Sequence, residues 1–333
     1  MTAAGPMPKN IVVCCDGTGN EFRQSRRNTN VVKLFEVLVK DPARQIAYYD
    51  PGVGTLSVPG FVTFMGKWLS IGMGLAFGYG ITRNIEDAYA YLMARYEYGD
   101  KVFLFGFSRG AFTARALAGM LHVCGLLGKG SDNLIPYASK IYARARKEPG
   151  IAGDFKKAFS RACKPHFVGV WDTVESVGII PGFRRKFADT RLNGDVRVGR
   201  HAIALDERRS QYRPNLWTEP AGEGQSIVQV WFPGAHADVG GSYPQAGLSH
   251  VALHWMLRVA AEQGLIVDST AASRYVENHK DRLHNPLLPA WWMLGWWRRR
   301  VPHGAFVHHS VVARKRDVAG YDPPNLPVDL TTV

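Results

Sequence analysis

The sequence contains little cysteine and no long apolar run. Its four cysteines are too few for the disulfide framework of a small secreted domain, and their apolar surroundings predict buried, reduced thiols. The most apolar stretch, Trp68–Gly80, falls short of the roughly 18 apolar residues that indicate a membrane-spanning helix. The N-terminus also lacks the charged start and apolar run of a signal peptide. We therefore predict a cytoplasmic protein, with export only by a route that needs no cleaved signal.

Acidic residues are outnumbered, with 28 Asp and Glu against 41 Lys and Arg, and the net charge is +13 at pH 7. A basic surface attracts nucleic acid, anionic lipid and acidic substrates through the same long-range field. No zinc finger, helix-turn-helix or RNA-binding signature accompanies the basic residues, so no nucleic-acid partner is expected. Peripheral contact with an anionic membrane surface fits this charge better than nucleic-acid binding does. Small basic clusters occur at Arg184–Lys186, Arg208–Arg209 and Arg298–Arg300.

Strand-like and helix-like segments alternate along the chain. Helical periodicity follows Asn30, runs from Ile81 to Tyr96 and covers Ala246–Gln263. This alternation predicts an α/β fold, with a mostly parallel central sheet and helices on both faces. A hydrophobic content of 46% supports one large core, so we predict a single domain over residues 1–333. The predicted strands are Asn10–Cys15, Gln45–Tyr49, Lys101–Phe105, His166–Trp171 and Ile227–Phe232.

Two segments resist assignment to regular elements. The range 178–224, between the last two predicted strands, is rich in Arg, Gly and Pro. A lid over a site and a surface excursion both fit such an insertion, and the sequence leaves both open. The segment from Asp50 to Gly80 is rich in glycine and aromatic residues, and we expect it to be irregular. It would either line an acyl pocket or pack in the core.

The sharpest chemical motif is Gly106-Phe107-Ser108-Arg109-Gly110, a G-x-S-x-G sequence directly after the predicted strand KVFLF. The helix-forming segment AFTARAL comes next. A nucleophile elbow needs this context, because the serine sits on a strained strand-to-helix turn whose glycines let the chain pack closely. The helix N-terminus also presents backbone N–H groups to developing negative charge. The motif predicts Ser108 as a catalytic nucleophile, with a merely tight turn as the alternative.

A serine nucleophile needs a base, and the base needs an orienting acid. In α/β hydrolases these residues follow in the order Ser, Asp or Glu, His. Asp172 ends the predicted strand HFVGVW, and His236 follows the predicted strand IVQVWF, so both order and position fit. We predict Asp172 as the acid and His236 as the base; a helix N-cap and a structural hydrogen bond are their respective alternatives. His308, in VHHSV, is the main rival for the base.

The oxyanion hole is predicted to use the backbone N–H of Arg109 and a second donor from a loop after an early strand. The loop Asp16-Gly17-Thr18-Gly19 fits this place, with Gly17 or Thr18 giving the N–H. Asp16 itself is expected to hold the loop by hydrogen bonds, and contact with substrate or a cation is the alternative.

A metal-dependent phosphohydrolase is the main alternative chemistry. Asp16, Asp172, His236 and Asp238 offer oxygen and nitrogen donors at strand ends, as such an enzyme requires. Asp-Gly-Thr also resembles part of the D-x-D-G-T motif of haloacid-dehalogenase-type phosphatases, but Cys14 stands where that motif has its nucleophile. A catalytically inert binding module that kept the fold is the third hypothesis. For the serine hydrolase itself, neither a metal nor a cofactor is expected.

The segment Ala290–Arg300 (AWWMLGWWRRR) places four tryptophans before three arginines. Indoles and arginines together suit contact with lipid headgroups. A core-packed aromatic segment followed by a solvated basic tail is the slightly favoured alternative.

Six sequence blocks occur in order along the chain: IVVCCDGTGN, GDKVFLFGFSRGAFTARALAGML, VGVWDTVESVG, HAIALDERR, VWFPGAHADVGGSYP and GLSHVALHWML. Together they resemble one α/β-hydrolase family, which includes the catalytic domains of some type VI secretion phospholipase effectors. The resemblance runs from about Asn10 to Arg314. Six ordered blocks are far more specific than any single motif.

This resemblance implies an α/β-hydrolase fold and a triad of Ser108, Asp172 and His236. It also implies hydrolysis of carboxylic esters, with lipids and phospholipids as the expected substrates. One departure from the family pattern is Ser242, in VGGSYP, where glycine is expected.

Overall fold

The computed structural model describes residues 7–17, 27–52, 71–174, 192–210, 212–217, 222–287 and 295–333. Its strands are β1 (Asn10–Cys15), β2 (Gln45–Asp50), β3 (Lys101–Phe107), β4 (Leu126–Leu127), β5 (Ser160–Arg161), β6 (Pro165–Trp171), β7 (Val198–Ala204), β8 (Ser226–Phe232), β9 (Phe306–Val307) and β10 (Thr331–Thr332). Its helices are α1 (Asn30–Val37), α2 (Ile71–Arg95), α3 (Arg109–Cys124), α4 (Ile135–Arg144), α5 (Pro149–Phe159), α6 (His236–Gly240), α7 (Gly247–Ala261), α8 (Ser269–Ala272) and α9 (His309–Asp317).

An eight-stranded sheet forms the centre of the fold, in the order β10-β9-β8-β7-β6-β3-β1-β2. Each of its described pairings is parallel, so the mostly parallel α/β fold predicted from the sequence is confirmed. Parallel strands all end at the same edge of a sheet. The residues that follow β1, β3, β6 and β8 therefore meet at one edge, near the middle of the sheet.

Helices cover both faces of the sheet because its inner strands are apolar on both sides. Along β1, Ile11 and Val13 pack on the face that carries α2 and α3, whereas Val12 and Cys14 pack on the face that carries α1 and α7. All four side chains are fully buried. The four cysteines are buried and form no disulfides, as their apolar surroundings predicted.

The predicted lid range contains a strand of the central sheet. Strand β7 pairs with β6 on one side and β8 on the other, so residues 198–204 do not belong to a lid or a surface excursion. Arg200 and His201 in its middle interrupt the apolar pattern, so the sequence did not predict this strand. In the fold these polar side chains have partners: the buried His201 ring contacts the Gln229 side chain (Nδ1 to Oε1 3.3 Å). Residues 178–191 of the predicted lid lie outside the described residues.

Helix α2 begins before the residue that the periodicity predicted. Residues 71–80, expected to be irregular, form its first turns. Their four glycines lower the helix propensity, which is why the sequence did not predict a helix here, but they do not abolish helix formation. Residues 53–70 lie outside the described residues. Across the ranges that the structure describes, no helix is both long and apolar enough to cross a membrane.

Ser242 adopts a backbone conformation that favours glycine, with φ 95°. The Ser242→Gly variant is therefore expected to raise the free energy of unfolding by about 1 kcal/mol, because glycine relieves the strain caused by the side chain. Urea denaturation measures this change. Ser273→Gly is the matched control, since Ser273 has ordinary helical angles (φ −61°, ψ −19°) and offers no strain to relieve. A loss of stability in Ser242→Gly would contradict the strain argument.

Candidate active site

Ser108 lies on a sharp turn between β3 and α3, as the strand–turn–helix context predicted. Its backbone angles (φ 57°, ψ −118°) are strained for a residue with a side chain. Its N–H donates to the Trp171 carbonyl (3.1 Å), which fixes the turn to the end of β6. Ser108 is only 9% exposed.

The two glycines of the motif are required by close approach of the backbone. A Cβ on Gly106 would lie 2.3 Å from the Gly110 carbonyl oxygen. A Cβ on Gly110 would lie 2.1 Å from the carbonyl oxygen of Cys15, the last residue of β1. The elbow therefore packs directly against the loop that follows β1.

Asp172 and His236 form a buried acid–base pair at the carboxyl edge of the sheet. Asp172 follows β6, His236 begins α6 after β8, and their Oδ2 and Nδ1 atoms are 2.6 Å apart. The His236 ring packs on Phe107, the residue before Ser108, with ring centroids 4.6 Å apart. The pair thus lies beside the elbow.

The Asp172 carboxylate also accepts a hydrogen bond from the Ala204 N–H (2.9 Å), so it is anchored to β7 rather than capping a helix. Like Ser108, Asp172 has a positive φ, of 38°. Two functional candidates thus share strained backbone, a feature that concentrates at active sites.

His308 is engaged elsewhere. It precedes α9, where its side chain accepts from the Ser310 N–H and caps the helix. Its Nδ1 also lies 2.8 Å from Ser310 Oγ, and its ring stacks on Phe232. Among the described contacts, His236 rather than His308 reaches Asp172.

The electrostatics of the pair favour an ionised acid and a neutral base. Burial alone would raise the pKa of Asp172, but Arg299 and His236 hold it well below its usual range. Burial lowers the pKa of His236 below its ordinary value, although Asp172 opposes this shift. A neutral imidazole next to an ionised carboxylate is the state that can accept a proton from a hydroxyl.

Arg299 is a site residue that the sequence did not reveal. Its side chain is fully buried and forms a two-pronged ion pair with Asp172. The prediction of a solvated or headgroup-binding arginine cluster is therefore wrong for Arg299, while Arg298 and Arg300 are exposed. Trp296 is half exposed, and residues 290–294 lie outside the described residues.

Glu207 was missed as well, although it lies in the block HAIALDERR. It is buried, is paired with Arg209 and accepts from the His236 backbone N–H (3.2 Å). Its ion-pair partner Arg209 lies only two residues away, but its contact with the His236 backbone joins residues 29 apart, and residue spacing alone gave no indication of that contact.

The predicted oxyanion donors are placed only in part. Arg109 begins α3, so its N–H lies at the helix N-terminus beside Ser108. The Gly17 N–H already donates to Asp16 Oδ1 (2.7 Å), which leaves Gly17 poorly suited as the second donor. Thr18 lies outside the described residues.

Asp16 and Asp238 hold local structure. Asp16 Oδ2 accepts from Thr29 Oγ1 (2.6 Å) and Tyr49 OH (2.9 Å). Asp238 accepts from the Ala235 N–H and contacts His284 Nδ1 (2.7 Å). Within the described ranges, no three or more His, Cys, Asp or Glu side chains group as a metal site. Of the four donors proposed for a phosphohydrolase, Asp172 and His236 contact each other, while Asp16 and Asp238 have the separate partners given above.

Residues 9–259 match the family described as the type VI secretion system phospholipase effector Tle1-like catalytic domain. The chain belongs to this family. The Tle1-like match covers the elbow, Asp172 and His236, whereas Arg299 lies beyond it.

This Tle1-like chain is similar to a yeast protein in sequence and, more weakly, to two solved structures. An uncharacterized protein of Saccharomyces cerevisiae, YEL023C, is 37% identical over 227 residues, which are 63% of this chain and 33% of that protein. A crystal structure of an uncharacterized Pseudomonas aeruginosa protein gives a TM-score of 0.47 at 15% identity, over 82% of this chain and 49% of that one. The Tle1 effector bound to the VgrG spike of the type 6 secretion system gives 0.42 at 18% identity, over 71% and 51%. The match thus spans about a third of the length of the yeast protein and about half of the length of each solved chain.

Proposed function

We propose that this protein is a serine hydrolase that cleaves carboxylic esters of lipids, phospholipids among them, through Ser108, His236 and Asp172. The observation that carries the proposal is the buried 2.6 Å contact between Asp172 and His236 beside a strained serine elbow. Membership of a phospholipase effector family supports a lipid as the substrate.

The proposed reaction is a two-step acyl transfer. His236 Nε2 takes the Ser108 proton, and Ser108 Oγ attacks the ester carbonyl to form a tetrahedral intermediate. The Arg109 N–H, at the positive end of α3, stabilises the oxyanion together with a second donor from the loop after β1. Collapse releases the alcohol, which takes the proton from His236. Water, activated by His236, then releases the fatty acid and restores Ser108.

The test is covalent labelling by a fluorophosphonate, which reacts with activated serines. The purified protein should be labelled on Ser108, identified by mass spectrometry of the labelled peptide, and should release fatty acid from phospholipid vesicles. Both signals should persist in the presence of a chelator, because the proposed chemistry needs no metal. Folded protein that resists labelling would overturn the proposal; chelator-sensitive activity would then point to a metal enzyme, and complete inactivity to a binding module.

The pH dependence of catalysis should identify the base. Because burial lowers the pKa of His236 below its ordinary value of 6.5, kcat/KM should stay constant around neutral pH. It should fall as pH drops through this lowered pKa, since the imidazole is then protonated and cannot accept the Ser108 proton. Initial rates on a soluble ester between pH 4 and pH 9 measure this profile.

His308→Asn provides the control for the pH profile, because asparagine also caps helices. The variant should keep both the activity and the acidic limb of the wild-type profile. Loss of that limb in His308→Asn would reassign the base to His308.

A further inference from the structure

Arg299 makes four hydrogen bonds within the candidate site. Its Nη1 atom lies 2.5 Å from Asp172 Oδ1, and its Nη2 atom lies 3.0 Å from Asp172 Oδ2. The same two nitrogens donate to main-chain carbonyls, Nη1 to Ala204 (2.8 Å) and Nη2 to Tyr212 (2.6 Å). Both partners of the ion pair are 0% exposed at the side chain.

We infer that Arg299 is a positioning residue for the acid–base pair: its guanidinium holds the Asp172 carboxylate in the plane that orients His236, and it offsets the charge that would otherwise draw a proton onto the imidazole. This inference rests on the proposed function of Ser108 and His236.

The positioning argument follows from how the carboxylate is bonded. Oδ1 accepts from the Ala204 N–H and from Arg299, while Oδ2 accepts from Arg299 and lies against His236 Nδ1. Rotation of the carboxylate would break both prongs of the guanidinium pair at once. With Oδ2 fixed, the proton of neutral His236 is held on Nδ1, which leaves Nε2 as the acceptor.

The electrostatic argument concerns charge in a dry environment. A fully buried carboxylate whose only partner is His236 would strongly favour protonation of that ring, because a buried anion is stabilised by an opposite charge beside it. The guanidinium of Arg299 already supplies that opposite charge. His236 can therefore remain neutral until it receives the proton of the nucleophile.

Other charged groups near the pair do not take over this role. Glu207 forms an ion pair with Arg209, and these two groups shift the pKa of His236 in opposite directions. Burial lowers the pKa of His201 to about 3, which keeps that ring neutral beneath Asp172. The Tyr212 ring meets His236 edge-on. Arg115 of α3 acts on His201, and among the residues that the structure describes it is Arg299 whose cationic group contacts Asp172.

The test is an NMR titration of His236 in histidine-labelled protein, which reads the pair without needing activity. In Arg299→Gln the titration midpoint of His236 should rise by about one pH unit or more, because the offsetting charge is gone. In Arg299→Lys the positive charge stays, while the two-pronged ion pair with Asp172 is lost. Its midpoint should stay near that of the wild type, but kcat should fall by about 10-fold or more. Arg300→Gln, which deletes an exposed arginine next door, should change neither.

Folded Arg299→Gln protein with a wild-type His236 midpoint would overturn the inference. If Arg299→Gln does not fold, Arg299→Lys decides: unchanged kcat would refute a positioning role. Failure of the proposed function has a different signature. In that case wild-type Ser108 resists the fluorophosphonate, and the activity of the Arg299 variants carries no information about Arg299. The titration midpoint of His236 still reports whether Arg299 controls the pair.

Discussion

Replacing Ser108 by alanine is expected to lower kcat for ester hydrolysis by roughly 10⁴–10⁶ while the protein stays folded. Alanine keeps the Cβ and the strained backbone of the elbow (φ 57°) and removes only the Oγ that attacks the carbonyl. Interactions that bind the substrate remain, so KM should change far less than kcat. Steady-state kinetics on a soluble ester measure both constants, with Ser273→Ala, at an exposed serine, as the control.

The proposed triad also predicts strong non-additivity. If Ser108 and His236 act as one unit, adding His236→Ala to Ser108→Ala should cost almost nothing further, although His236→Ala alone should cost several orders of magnitude. Independent losses that multiply in the double variant would show that the two residues serve different steps. Residual activity near the wild-type level in Ser108→Ala would refute the nucleophile assignment outright.

The sequence carried most of the information about this edge of the sheet. Asp172 and His236 each follow a strand that is recognisable as a mostly apolar run, because the inner strands of a parallel sheet are largely buried. The parallel topology then places the two residues close together, since the carboxyl ends of parallel strands lie at one edge of the sheet. Two residues far apart in the sequence could thus be assigned to one site, and their side chains lie in hydrogen-bond contact.

Strand β7 was not predicted from the sequence, because a local sequence pattern cannot show which hydrogen-bond partners a polar side chain will have. Arg200 reaches back along the sheet to the Ser226 carbonyl and hydroxyl, and His201 contacts Gln229. Only the folded sheet brings these partners together. Where tertiary contacts satisfy polar side chains in this way, a strand is easily mistaken for an insertion.

Arg299 shows the same limit more sharply. Three consecutive arginines after a tryptophan-rich segment are typical of a surface, and two of the three are indeed exposed. The middle one is buried against Asp172, which lies 127 residues earlier in the chain. Charge patterning predicts which faces are solvated on average, but pairing across such a separation depends on the fold.

The close packing of the elbow predicts the largest loss of stability. Gly110→Ala should lower the free energy of unfolding by about 3 kcal/mol or more, because overpacking against backbone has no cheap relief. The added Cβ would lie 2.1 Å from the Cys15 carbonyl oxygen and 2.5 Å from that of Asp16. These atoms end a central strand that is hydrogen-bonded on both sides. Urea denaturation of the variant beside the wild type measures the loss.

Gly153→Ala is the matched control for this substitution. Gly153 is exposed within α5, and a Cβ there would meet nothing within 4 Å, so alanine should stabilise the protein by about 0.5–1 kcal/mol. The changes in the free energy of unfolding are expected to have opposite signs at these two helical glycines, which separates the effect of steric contact from that of helix propensity. If Gly110→Ala were as stable as the wild type, the loop after β1 could not lie against the elbow. The second oxyanion donor would then have to come from another part of the chain.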